Sequence, residues 1–144
     1  MGATHQDSSF HRDLVAVCMP FEGDHWDDVF KVIDQVCDEL NLTASRVDHH
    51  VGSSIVFHDI ARLIEEAEFL VFDLSEERPN VYYELGYAHG VGNEALDVLL
   101  VAAYGTKLHY DVAGLRVHMY QSLEQLRTIL KKSLPVMIER TRTR

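Results

Sequence analysis

Three observations predict an α/β domain built on a parallel sheet. Strand-like and helix-like patterns alternate along most of the chain. Three strand-like segments, residues 13–21, 69–74 and 95–103, carry continuous apolar runs, as strands covered on both faces do. The 144 residues are enough for one domain with a sizeable core. Strands separated by helices pair in parallel, because each crossover returns the chain to the same end of the sheet.

The elements follow in order. Residues 1–12 are polar and unpatterned, and read as a flexible arm. The first strand, DLVAVCMPF (13–21), closes on Pro20, and a polar turn follows at 22–25. Residues 26–42 place Trp26, Val29, Phe30, Ile33, Val36, Cys37 and Leu40 on one helix face, and Asn41 ends that helix. A short strand, TASRVD (43–48), reads as an edge strand. After a loop at 49–54, Ser54 caps a helix through Ile55, Ile60, Leu63, Ile64 and Ala67. FLVFDL (69–74) is the next buried strand.

Past an acidic turn at 75–78, Pro79 opens a helix to about Gly92, with Asn80 as its N-cap. ALDVLLVAA (95–103) is the third apolar strand. The connection at 104–114 is longer than usual and reads as a binding or lid loop. A last short strand covers 115–120. Ser122 then caps a helix running to about Leu134, where Pro135 closes it and the final RTRTR frays. Five strands so spaced predict a flavodoxin-like sheet of order 2-1-3-4-5, with helices on both faces. The domain spans 13–135 and leaves a basic tail at 136–144.

Composition narrows the function classes. The apolar share of 47% and the charged share of 25% are those of an ordinary globular domain. A formal net charge of −10 argues against a nucleic-acid polymer as partner, but not against a small nucleotide held at one point. No apolar run reaches the roughly 18 residues of a membrane span, and the N-terminus has no signal-like core. Cys18 and Cys37 sit in apolar patterns and read as buried thiols of a reducing compartment, so the expected location is the cytoplasm.

Ligands of open α/β sheets bind beyond the carboxyl ends of the strands, where strand order reverses. That places residues 19–21, 73–80 and 103–107 around one crevice, with Glu84 entering it from the third helix. No GxGxxG follows the first strand, and no GxxxxGK[ST] or GxSxG occurs, which disfavours dinucleotide oxidoreductases, P-loop enzymes and nucleophile-elbow hydrolases. Glu84 is either the chemical centre or a first-turn carboxylate that complements the helix dipole. Asp73 is either a ligand-facing or orienting group, or a turn-former bonded to nearby backbone N–H groups. Tyr82, Tyr83 and Tyr87 are expected to crowd Glu84, and Gly86 and Gly90 invite close backbone approach. Cys18 reads as core and not as a nucleophile. His49, His50 and His58 lack metal-ligand spacing and read as solvated; His89 is peripheral. No metal or cofactor is called for.

The runs CMPF (18–21), RVD (46–48), DIARLIEEAEFLVFDL (59–74) and PNVYYELGYAHG (79–90) resemble those of nucleoside 2-deoxyribosyltransferase-like proteins. That superfamily includes Toll/interleukin-receptor-like nucleotide-binding bacterial relatives. The resemblance runs through about residues 13–120. It implies that Glu84 attacks or stabilises C1′ of an N-glycosidic bond, with Asp73 donating a proton to the leaving base or positioning the sugar. It also implies that Met19, Pro20, Phe21, Arg46 and Asp48 contact a nucleoside or nucleotide; Asn80 and Tyr83 are expected to contact it as well. Asp111 and Arg116 match a D…R pattern that serves ion pairing or phosphate binding. A homodimer or larger homo-oligomer is implied as well. One departure stands out: well-studied transferases have a small-residue first loop, often with glycine, where this chain has Met19-Pro20-Phe21. Non-catalytic nucleotide sensing and NAD cleavage are the alternative functions.

Overall fold

The structure, a computed structural model, describes residues 11–47, 55–94, 97–108 and 114–143. It is a single α/β domain. The strands are β1 (His11–Cys18), β2 (Thr43–Arg46), β3 (Ala67–Asp73), β4 (Val98–Ala103) and β5 (Val117–Tyr120). The helices are α1 (Asp24–Glu39), α2 (Ile55–Glu66), α3 (Pro79–Gly90) and α4 (Leu123–Thr143). All strand pairs are parallel and the sheet order is β2-β1-β3-β4-β5, as the sequence predicts.

The apolar runs divide by strand alternation. Val15, Val17, Phe69, Val71, Leu99 and Val101 face one side, where Trp26 and Ile33 of α1 and Leu126, Leu130 and Leu134 of α4 cover them. Ala16, Cys18, Leu70, Phe72, Leu100 and Ala102 face the other, under Ile60 and Ile64 of α2 and Val81, Leu85 and Ala88 of α3. A continuous apolar run is thus two half-cores.

Several boundaries differ from expectation for local reasons. The helix expected from Trp26 begins at Asp24, because Gly23 at its N-cap takes φ 113°, a conformation open to glycine. It ends as read: Asn41 is left-handed (φ 60°), and the Leu42 N–H returns to the Cys37 carbonyl at 2.8 Å. Asn80 does not cap α3. A residue before proline is driven out of the helical region, so Arg78 (φ −68°, ψ 124°) becomes the N-cap and Pro79 the first helical residue. Asn80 is left inside the first turn. Ser54 lies outside the described residues.

The largest departure is α4, which passes through Pro135 and runs to Thr143. An interior proline removes a helix hydrogen bond at a cost of about 3 kcal/mol. Contacts beyond it offset that cost. Met137 is buried, Thr141 bonds Asp97 at 2.5 Å, and Arg142 pairs with Asp13 and with the buried Glu68 (2.9 Å). Glu68 also accepts the N–H of Asp13 at 2.9 Å, at the irregularity where β1 takes a left-handed residue (φ 73°). The expected frayed tail is therefore tied to the starts of β1 and β3, and the strand expected from residue 13 begins at His11. Pro135→Ala is expected to raise stability by about 1–2 kcal/mol, the helix bond outweighing the lost chain stiffness. Thermal denaturation reads this as a higher Tm.

Candidate functional site

The order β2-β1-β3-β4-β5 reverses between β1 and β3, and the carboxyl ends of these two strands frame the crevice that such a reversal opens. β1 delivers Cys18 as its last residue, and β3 delivers Asp73 as its last. The turn Ser75–Glu77 and Pro79 then launch α3 back across the sheet. Glu84 falls on the buried face of that helix with Val81, Leu85 and Ala88, and is 3% exposed. A carboxylate among apolar neighbours is costly unless something holds it. The Cys18 thiol lies within interaction reach of it. Burial first, then the charge and acceptor oxygens of Glu84, push the Cys18 pKa well above that of an ordinary thiol.

Cys18 is thereby a proton-bearing neighbour of Glu84 and not a thiolate nucleophile. Burial and Asp34 push Cys37 up to about 12. Both thiols are expected to resist alkylation by iodoacetamide at pH 8 in the folded chain and to react once denaturant unfolds it. Intact-mass spectrometry before and after unfolding reads this directly.

Asp73 is fully buried. Its Oδ1 accepts the Ser75 N–H at 2.9 Å, and its Oδ2 accepts the Tyr120 hydroxyl at 2.6 Å. Ser75 Oγ in turn accepts the Ala103 N–H at 2.7 Å. The ends of β3, β4 and β5 are thus joined through one carboxylate. Burial raises the Asp73 pKa. The Ser75 and Tyr120 bonds, and the His25 charge, act against that rise. Burial and the same carboxylate hold Tyr120 protonated, with its pKa raised.

The first-strand loop is fixed from the opposite side. Arg46 donates from Nη2 to the Pro20 carbonyl (3.0 Å) and from Nη1 to Asp27 (2.8 Å), with its guanidinium 5.8 Å from the Phe30 ring centroid. Met19 and Pro20 are buried and Phe21 is half-buried. Of the residues expected to touch a ligand, Met19, Pro20 and Arg46 therefore form a braced wall. Tyr83 is 64% exposed, and Asn80 sits half-buried in the first turn of α3. Asp48, the histidines 49 and 50, and Asp111 lie outside the described residues.

The three tyrosines diverge instead of crowding Glu84. Tyr83 points to solvent, Tyr82 packs against the core beneath α3, and Tyr87 bonds Glu65 of α2 at 2.7 Å. Nor does a backbone approach Gly86 or Gly90: a Cβ at either would meet nothing within 4 Å. Helical geometry explains both outcomes, since consecutive residues project about 100° apart and positions 83, 86 and 90 share the outer face. Among the described residues no group of three metal-ligating side chains occurs, and no helix is long and apolar enough to cross a membrane.

No protein-family model matches the chain, and no curated protein matches it. Solved structures do. A CMP N-glycosidase from Clostridium botulinum, BcmB, superposes with a TM-score of 0.63 at 15% identity, covering 80% of this chain and 96% of that one. A flavo di-iron protein from Thermotoga maritima gives 0.63 at 15% identity over 92% of this chain. This chain spans only 36% of its length. A diflavin flavoprotein from Nostoc sp. gives 0.60 at 12% identity, covering 90% of this chain and 96% of that one. At such identities the likeness is one of fold: flavodoxin-like architecture, which both flavoproteins and an N-glycosidase use.

Three participants escaped the sequence reading: Ser75, Tyr120 and His25. Ser75 had a local signal, since an aspartate two residues before it is the usual geometry for a side chain capturing the i+2 N–H. Tyr120 had none, being 47 residues from Asp73. His25, exposed in the first turn of α1, lies within electrostatic reach of Asp73.

Proposed function

We propose that this chain cleaves or transfers the N-glycosidic bond of a nucleoside or nucleotide, with Glu84 as the carboxylate directed at C1′. The observation that carries this reading is a buried carboxylate beside the last residue of β1, at the reversal point of the sheet. The match over nearly the whole length of a CMP N-glycosidase supports it at the level of fold. Breaking the bond develops oxocarbenium character at C1′, which a carboxylate stabilises or captures. In the covalent form, a Glu84 oxygen bonds C1′ as the C1′–N bond breaks. The base leaves with the bonding electrons and takes up a proton. Water then releases the sugar, or a second base accepts it. Asp73, with both oxygens engaged, serves by holding the crevice floor in place. Exposed Tyr83 offers a ring face for a base.

A second reading, nucleotide recognition without turnover, draws on the 3% exposure of Glu84, which leaves little room for a reacting sugar. One experiment separates the two. The protein is incubated with CMP, other nucleosides and deoxynucleosides, their 5′-monophosphates and NAD, and free base is followed by chromatography. Base release by the wild type, lost in Glu84→Ala, is the expected result. Binding of any of these compounds with no release favours recognition. Release from NAD alone would assign an NAD-cleaving activity.

A further inference from the structure

A second concavity lies away from Glu84. It is a trough of about 710 Å³ between α4 and the β4–β5 edge of the sheet. It reaches the first residues of β4, Val98 and Leu99, whereas Glu84 sits at the last residue of β1, so the two lie toward opposite ends of the sheet. From Gln125 to Arg140 the trough follows one face of α4, a run of roughly 22 Å at 1.5 Å per residue.

Its charge is out of keeping with the molecule. The chain has 23 Asp and Glu against 13 Lys and Arg, yet among the described residues the lining holds Arg116, Lys132, Arg140 and two histidines and no carboxylate. None of the three cations has an ion-pair partner among the described residues. Burial first, and then the neighbouring Arg116 and Lys132 charges, hold the His118 pKa below the usual histidine value. The floor is apolar, with Leu99, Ile129 and Met137, and its lip carries two exposed aliphatic side chains, Leu115 (40%) and Val136 (43%). A volume of this size is that of a small-molecule site.

We propose that this trough binds a single-chain amphiphilic anion, an alkyl or acyl body lying along α4 with its anionic head on the Arg116, Lys132 and Arg140 side chains. Charge complementarity selects the head, since a cation cluster on an acidic protein attracts anions that the rest of the surface repels. The apolar floor, elongated along the helix, selects the body. Inorganic phosphate satisfies only the first requirement and a neutral detergent only the second.

Isothermal titration below the micellar concentrations provides the test, with dodecyl phosphate as the probe. Dodecanoate, dodecyl maltoside and inorganic phosphate are the comparators. The expected result is one dodecyl phosphate or dodecanoate per chain, with dodecyl maltoside and inorganic phosphate at least about tenfold weaker. The double variant Lys132→Glu/Arg140→Glu is expected to weaken dodecyl phosphate by about tenfold or more. Val136→Trp, which keeps the cations and fills the trough, is expected to abolish binding. Both changes are at exposed helix positions, and circular dichroism confirms that the variants remain folded. Glu84→Gln is expected to leave binding unchanged.

Equal binding of dodecyl maltoside, or undiminished binding by either trough variant, would overturn the proposal. So would a self-associated wild type that the double variant dissociates in sedimentation velocity. Binding to anionic vesicles without binding of monomeric dodecyl phosphate would overturn it too, in favour of a membrane-surface role.

Discussion

Glu84→Gln is expected to lower the rate of N-glycosidic cleavage by about 10³-fold or more, the loss seen when a group acting directly at the reacting centre is removed. Glutamine keeps the shape and an acceptor oxygen, so the fold and the crevice are preserved. What it loses is the negative charge that, in the proposed mechanism, answers the developing charge at C1′. The effect should fall on kcat far more than on KM, because the charge matters most when the C1′–N bond is breaking. Steady-state kinetics on the best substrate of the panel, beside a thermal melt, gives both quantities. A comparable fall in Tm would instead assign Glu84 to stability.

Asp73→Ala is expected to be the most destabilising single change at the site, by about 3–5 kcal/mol. It strips the acceptor from the Ser75 N–H and the Tyr120 hydroxyl, both buried, and leaves the ends of β3 and β5 without their link. Asp73→Asn keeps one acceptor and should cost less. The wild type also separates from both variants by pH. Burial raises the folded pKa of Asp73 above 3.8, so the folded chain binds the proton more tightly than the unfolded one. Its contribution to stability is therefore greatest at pH below 3.8 and declines as pH rises from there through the folded pKa. Asp73→Asn should lack that decline. Urea denaturation of wild type and variants across this window measures it. If Asp73 touches substrate instead, Asp73→Asn will cut turnover with stability and its pH profile unmoved.

The architecture was legible because it rests on local, repeated signals. The apolar runs at 15–19, 69–72 and 98–102 could only be doubly covered strands, and their separation by helices fixed parallel pairing. Glu84 was legible as a carboxylate on a helix after a strand ending in aspartate. Its neighbourhood was not: Cys18, which lies within its reach, is 66 residues away along the chain, and nothing local in CMPF marks the cysteine as a neighbour. Arg46 shows the same limit. Its motif resembles a ligand contact, and the hydrogen bonds it makes to Pro20 and Asp27 lie on segments that only the fold brings beside β2. At Pro135 a strong local rule was overridden by tertiary contacts, since Arg142 and Glu68 meet across 74 residues. The trough along α4 was invisible for a similar reason. Its cations are scattered between 116 and 140, and composition reports only the acidic sum.

Chemical rescue of Glu84→Ala tests the assignment of Glu84 most directly. Removing the side chain leaves space beside C1′ that a small anion such as azide can enter, bonding C1′ as the base departs with the electron pair. The expected result is a variant with no measurable base release in buffer, restored release in azide, and a glycosyl azide detected by mass spectrometry. Undiminished base release by Glu84→Ala without azide would contradict a C1′-directed role for Glu84.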